Sequence, residues 1–328
     1  MKKKLVKLIL KYIKVRDWEK SKKRVLISLN SYFTENEWLE KISNLDDEFD
    51  FYFVKNKFRF IKLITGADYI FCFGLSSFIE ARLLTKKKIY FGVVGLEFLK
   101  KVKLPSSCEV FSPKGISTMS IAEYCLAMSI NLNLKLYYAF NNKLKKMWDQ
   151  SKILNKPFIS IKKKTIGIMG VGNNGKAIAE IFKNLGCHVN GYDKIHSKSL
   201  IIDDWFYPDR LDLFLSNSDV VIVALSENPE TKHLINLEFF KMMKKDSILI
   251  NIARGNIINE DDLIIALKNK YLSAVALDTL ITEPLPRQSK LWKFENVIVT
   301  PHIAGNINLF RDQIQKDFIK TVLKGKVN

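Results

Sequence analysis

Cysteine is scarce: four residues in 328, Cys72, Cys108, Cys125 and Cys187, with no CxxC pair among them. That argues against a disulfide framework and against a thiolate metal site of familiar spacing. Each lies in an apolar stretch and reads as a small buried hydrophobe in a reducing compartment. The expected setting is cytoplasmic, and no metal site is expected. No uncharged apolar run is long enough to span a bilayer. No tandem repeat or low-complexity tract interrupts the mixture of apolar and charged residues. The opening MKKKLVKLILKYIKVR resembles a secretory leader only in its first four residues, because Lys7, Lys11 and Lys14 break the apolar run. Its Leu5, Ile9, Tyr12 and Ile13 share a helical face; an ordinary solvated helix packed on the body is expected there, with a membrane-surface or partner-binding helix as the alternative.

Arginine is also sparse, with eight scattered residues against an abundance of lysine within a net charge of +19. A lysine surplus spread over the whole chain reads as a solvated surface able to gather small anions. It argues against a dedicated nucleic-acid face. With 47% hydrophobic and 12% aromatic residues, the chain can bury the cores of two ordinary domains.

Short apolar runs alternate with helical patterns in two series, as expected for parallel sheets covered by helices on both faces. The first series comprises Arg24 to Leu29, Phe49 to Val54, Asp68 to Phe73 and Ile89 to Val94. The second comprises Thr165 to Met169, His188 to Tyr192, Val220 to Leu225, Ser247 to Asn251, Ser273 to Leu277 and Val297 to Thr300. One long helix is expected from Ser120 to about Trp148, and another from Asn306 to Asn328. The predicted fold is therefore α/β with two doubly wound, Rossmann-like domains. Residues 120–305 are inserted between 1–119 and 306–328, leaving a cleft between the halves.

The strongest local signal is GVGNNG, in which Gly170, Gly172 and Gly175 follow an apolar strand and open a helix. Gly170 permits the tight turn, Gly172 lets the backbone approach a pyrophosphate, and Gly175 lets helix and strand close together. Amides at the helix start, including that of Asn174, then face the diphosphate. The next strand ends in Asp193, whose carboxylate can accept both ribose hydroxyls and would repel a 2′-phosphate. NAD is therefore expected over NADP, although Lys194 and Lys198 lie close by.

In such sheets ligands lie beyond the carboxyl ends of the strands, where Arg254, Asp278 and His302 stand. Reduction of an oxo acid needs a cation to hold the carboxylate and a proton donor for the carbonyl oxygen. Arg254 offers a planar, bidentate donor and His302 a proton. Glu283, beside Pro284, is the candidate to hold the imidazole ring.

These residues stand in a pattern that resembles the D-isomer-specific 2-hydroxyacid dehydrogenases. It runs from SIAE (120–123) through the Gly170 turn, SDVVIVA (218–224), NPETKHLIN (228–236), NIARG (251–255), ALDT (276–279) and EPLP (283–286) to TPHIAG (300–305). The resemblance implies a flavodoxin-like substrate domain built from both chain ends and a homodimer formed through the helix near Ser120. It further implies that Arg254 orients substrate, Glu283 pairs with the histidine, and His302 is the general acid or base. Asp278 would fix the carboxamide. Asn173, Asn174, Asp193, Leu225, Ser226, Thr231, Ile252 and Ala304 would complete the cofactor contacts. Corepressor relatives of the family make an NAD(H)-sensing binding protein the alternative reading.

The chain departs from the family pattern where substrates are chosen. After the fourth strand it reads VVGLEFL (93–99), so the backbone amides of Val94 and Gly95 are the expected carboxylate binders. The loop Phe73 to Ser77 has no Arg or Lys for a phosphate, and Ser226 replaces a usual proline.

Overall fold

The computed structural model describes residues 17–75, 79, 81–93, 95, 96, 99, 102, 104–151, 159–195, 201–305 and 307–325. The chain divides into two compact units, one of Met1–Ile116 with Ile307–Asn328 and one of Ser117–Asn306. The amphipathic segment at the start of the chain lies outside the described residues.

In the first unit β1 (Lys23–Ser28), β2 (Phe49–Val54), β3 (Tyr69–Cys72), β4 (Lys88–Phe91) and β5 (Glu109–Phe111) form a parallel sheet in the order β2-β1-β3-β4-β5. This is the flavodoxin-like order. Residues of β1 alternate between two cores, Leu26 on one face and Val25 and Ile27 on the other, as a pleated strand covered on both sides requires. Helix α1 (Glu35–Ile42) starts at a Thr34–Glu37 capping box, and α2 (Lys57–Leu63) starts at Asn56, which accepts from Phe58 N and Arg59 N.

The second sheet is also parallel. It contains β6 (Thr165–Met169), β7 (His188–Tyr192), β8 (Asp204–Phe206), β9 (Val220–Val223), β10 (Ile248–Asn251), β11 (Ala274–Leu277) and β12 (Val297–Val299), in the order β12-β11-β10-β9-β6-β7-β8. The direction of winding reverses between β6 and β9, the place where doubly wound sheets bind dinucleotides. Val220 and Ile222 pack on one face, Val221 and Val223 on the other.

Strands β5 and β8 carry no sequence signal, since each is a three-residue edge strand that opens on an exposed acid, Glu109 or Asp204. The expected long helix is two, α3 (Thr118–Asn133) and α4 (Leu136–Leu144), separated by Lys135 in the left-handed region at φ 53°. Its apolar periodicity runs through the break, but Asn133 turns its side-chain amide to Ile159 O at 2.9 Å instead of extending the helix. Helices α5 (Asn173–Asn184), α6 (Leu211–Asn217), α7 (Leu237–Met242) and α8 (Glu260–Asn269) complete the second unit.

Helix α9 (Ile307–Phe318), extended by a π turn (Ile319–Leu323), belongs to the first unit. Its Phe318 is fully buried among Trp38, Phe71 and Tyr90, with ring centroids 5.4–5.7 Å apart. Asp317 accepts a hydrogen bond from the Tyr90 hydroxyl at 2.5 Å. Cys72, Cys125 and Cys187 are buried as expected, whereas Cys108 is only half buried.

Candidate active site

The loop after β6 makes the first part of the site. Gly170 adopts φ +92°, and a Cβ there would also meet the backbone of Ala224 and Leu225 at 2.9 Å. A Cβ on Gly175 would lie 2.1 Å from Gly170 O, so only glycine lets α5 start this close to its strand. Gly172 is the N-cap of α5, and nothing lies within 4 Å in its Cβ direction. Asn173 is exposed, Asn174 half buried, and the first helical turn has no acidic residue. Free amides over open space fit a diphosphate.

Asp193, just after β7, accepts from Val171 N at 2.8 Å and so ties the end of that strand to the glycine turn. Lys194, beside it, is paired with Glu230. Lys198 lies outside the described residues. After β9, Leu225 is half buried and Ser226 exposed. The Thr231 hydroxyl donates to Ser226 O and accepts from Asn228 N, both at 2.8 Å, which closes the turn.

The ends of three adjacent strands carry the remaining residues. After β10, Ile252 is buried and Arg254 half buried, with its Nη1 donating to Ala253 O at 2.6 Å. Asn251 holds this turn by accepting from Ala253 N at 3.1 Å and donating to Arg254 O at 3.2 Å. A Cβ on Gly255 would lie 2.0 Å from the Leu280 carbonyl carbon, so the Arg254 turn presses directly on the segment that leads to Glu283.

After β11, Asp278 is almost wholly buried. Its Oδ1 accepts from the Thr300 hydroxyl at 2.7 Å and Ile303 N at 2.8 Å, and its Oδ2 accepts from Ala304 N at 2.9 Å. Oδ2 keeps a second lone pair, enough for one further donor. After β12, His302 lies in the left-handed region at φ +55°, and its Nδ1 is 3.0 Å from Glu283 Oε2. Both side chains remain substantially exposed. The second unit thus gathers Arg254, Asp278, Glu283 and His302 at one end of its sheet, on the same end as the glycine turn.

In the first unit Gly95 is half buried and Val94 lies outside the described residues. A cavity of about 410 Å³ opens at the carboxyl ends of β1, β2 and β3, lined by Ser28, Lys55, Lys57, Phe60, Gly74 and Leu75. Lys55 and Lys57 carry no motif in the sequence and do not belong to the Phe73 to Ser77 loop. The fold supplies them from the connection after β2 instead. Also unread were Tyr124 and Thr300, whose hydroxyls meet at 2.7 Å. The available signal was Tyr124 standing four residues after Ser120, on the same face of a helix.

A family described as D-isomer specific 2-hydroxyacid dehydrogenase, NAD binding domain, matches residues 126–304, more than half of the chain. The chain belongs to this family. It is 32% identical over 197 residues to D-3-phosphoglycerate dehydrogenase of Synechocystis sp., covering 60% of this chain and 35% of that protein. It is 34% identical over 196 residues to glyoxylate reductase of Thermofilum pendens, covering 58% and 57%. The chain thus spans about a third to just over half the length of these relatives. Among solved structures, a D-isomer specific 2-hydroxyacid dehydrogenase family protein from Aeromonas salmonicida subsp. salmonicida superposes with a TM-score of 0.80 at 25% identity, covering 94% of this chain and 97% of that one. The family's NAD-binding domain is thereby present, and the two parallel-sheet units have the family's fold. Among the described residues, no helix is long and apolar enough to cross a membrane.

Proposed function

We propose that this protein is an NAD-dependent D-2-hydroxyacid dehydrogenase that interconverts a small 2-oxo acid, of glyoxylate or hydroxypyruvate size, and its D-2-hydroxy acid. The observation that carries the proposal is the 3.0 Å contact between His302 Nδ1 and Glu283 Oε2, at the same sheet end as the glycine turn. The bound nicotinamide supplies or takes up the hydride at the alpha carbon of the acid. His302 gives a proton to the carbonyl oxygen in reduction, and in the reverse direction the neutral ring removes it from the hydroxyl. Glu283 holds the ring and stabilises its charged form. Arg254 grips the carboxylate with a planar, bidentate guanidinium. Gly170, Gly172, Asn173, Asn174, Gly175, Asp193, Leu225, Ser226, Thr231, Ile252, Asp278 and Ala304 hold the cofactor. The preference for NAD is supported by Asp193 and by the Lys194–Glu230 pair, which engages the cation next to Asp193 in the chain.

A homodimer in the cytoplasm is part of the same reading. Its support is an apolar surface on and after α4: Phe140, Leu144, Met147 and Trp148 are exposed, the last two of α4's continuation at 52% and 93%.

The test is NADH oxidation with glyoxylate, hydroxypyruvate, pyruvate, 2-ketoisocaproate and a phosphorylated oxo acid, the last included because Lys55 and Lys57 line the cavity of the first unit. Turnover that falls by about 100-fold or more in His302→Ala, with NADH affinity kept, supports the proposal. Unchanged turnover in that variant overturns the role of His302. Silence across the panel with tight NADH binding points to the NAD(H)-sensing alternative.

A further inference from the structure

Five residues, Thr300 to Ala304, carry His302 across the end of the sheet, and helix α3 grips them at two points one turn apart. Ser120 Oγ donates to Ala304 O at 2.9 Å, and the Tyr124 hydroxyl meets Thr300 Oγ1 at 2.7 Å. The direction of the second bond follows from proton count. Thr300 has one hydroxyl proton and spends it on Asp278 Oδ1, which can only accept. Tyr124 is therefore the donor. Burial raises the pKa of its phenol, so the proton stays in place.

The chain of bonds runs Tyr124 to Thr300 to Asp278, and Asp278 in turn accepts from the amides of Ile303 and Ala304. Every residue around His302 except Pro301 is thus anchored from below. His302 itself keeps a left-handed backbone at φ +55°, which costs a residue with a Cβ some strain and so depends on the bonds on either side of it.

We propose that Tyr124 and Ser120 are positioning residues for His302. Acting through Thr300, Asp278 and Ala304, they hold the backbone that aims the imidazole at Glu283 and at the reacting oxygen. The inference rests on the proposed function for its kinetic readout. Its structural readout needs no turnover.

The experiment compares Tyr124→Phe, Ser120→Ala and Thr300→Val with the conservative Thr300→Ser in the full chain. Two properties are read: the NMR titration of the His302 ring, tractable with only four histidines in the chain, and the pH profile of kcat/KM for the best oxo acid. Displacement of a reacting group by a fraction of an ångström lowers kcat several-fold. Tyr124→Phe and Thr300→Val are therefore expected to lower kcat by about tenfold and to move the His302 titration and the pH profile together. Any change in NADH affinity should be smaller than the change in kcat, because Asp278 keeps its bond from the Ala304 amide, and Thr300→Ser should restore wild-type behaviour. An unmoved His302 titration in both Tyr124→Phe and Thr300→Val overturns the proposal, even if their melting temperatures fall, because that result marks scaffolding alone. Should the wild-type protein turn over no acid, the proposed function fails while the NMR titration still decides this inference.

Discussion

Glu283 divides its two carboxylate oxygens between His302 and its own loop: Oε2 lies 3.0 Å from His302 Nδ1, and Oε1 accepts from Leu280 N at 3.0 Å. The second bond aims the first. Glu283→Gln keeps the shape of the side chain but removes the charge that steadies a protonated ring. The proposed oxo-acid reductase activity is expected to fall by about 100-fold, with NADH binding by fluorescence unchanged. A variant as active as the wild type would remove Glu283 from the mechanism.

Gly175 is set by contact, since a Cβ there meets Gly170 O at 2.1 Å. Gly175→Ala forces α5 away from the turn that it closes. Overpacking of this kind costs about 1–3 kcal/mol, and the displaced amides no longer point at a diphosphate. We expect a lower melting temperature and an NADH affinity reduced by about tenfold or more, read by thermal denaturation and fluorescence titration.

Asp68 joins two strands of the first unit by accepting from Arg24 N, Nε and Nη2 at 2.7–3.0 Å. Burial alone would raise its pKa, but the Arg24 hydrogen bonds and charge, with Lys87 nearby, outweigh that and hold it below the ordinary carboxylate value. A depressed folded-state pKa contributes stability above the unfolded-state pKa, and that contribution is lost as pH falls through the folded value. Asp68→Asn should therefore be less stable than wild type at neutral pH, and the gap should close in strong acid. Both side chains of the pair are 39% exposed, so the neutral-pH difference is expected to be about 1 kcal/mol or less. Urea melts at pH 7 and near pH 3 would read it.

Leu144 and Trp148 stand 83% and 93% exposed, a costly arrangement for a lone chain in water. If a second copy covers them, the double change Leu144→Glu with Trp148→Glu shifts the sedimenting species from dimer to monomer and leaves the secondary structure intact. A wild-type protein that sediments as a monomer would remove the dimer from the proposal.

Strands buried on both faces were legible because their apolar runs are continuous and end in turns. Ile248 to Asn251 and Ala274 to Leu277 are examples. The same runs direct attention to Arg254, Asp278 and His302, which stand one to three residues beyond the ends of β10, β11 and β12. Strands β5 and β8 left no trace, because each opens on an exposed acid, Glu109 or Asp204, and leaves only two apolar residues in the strand, whereas the equally short edge strand β12 is apolar throughout. The break at Lys135 was hidden by an apolar pattern that continues across it. The grip of Tyr124 on Thr300 spans 176 residues and that of Ser120 on Ala304 spans 184. No local period can announce such pairs. Lys55 and Lys57 share this property: only the sheet order brings the connection after β2 beside the loop after β3.

The placement of Phe318 has a consequence for the order in which a ribosome delivers the molecule. All five strands of the first sheet emerge early, yet the aromatic face formed by Trp38, Phe71 and Tyr90 has no Phe318 to cover it until the whole of the second unit has been synthesised. The second unit is contiguous and can close on its own residues first. A nascent chain halted before α9 should therefore offer chaperones an uncovered aromatic surface beside an already folded neighbour.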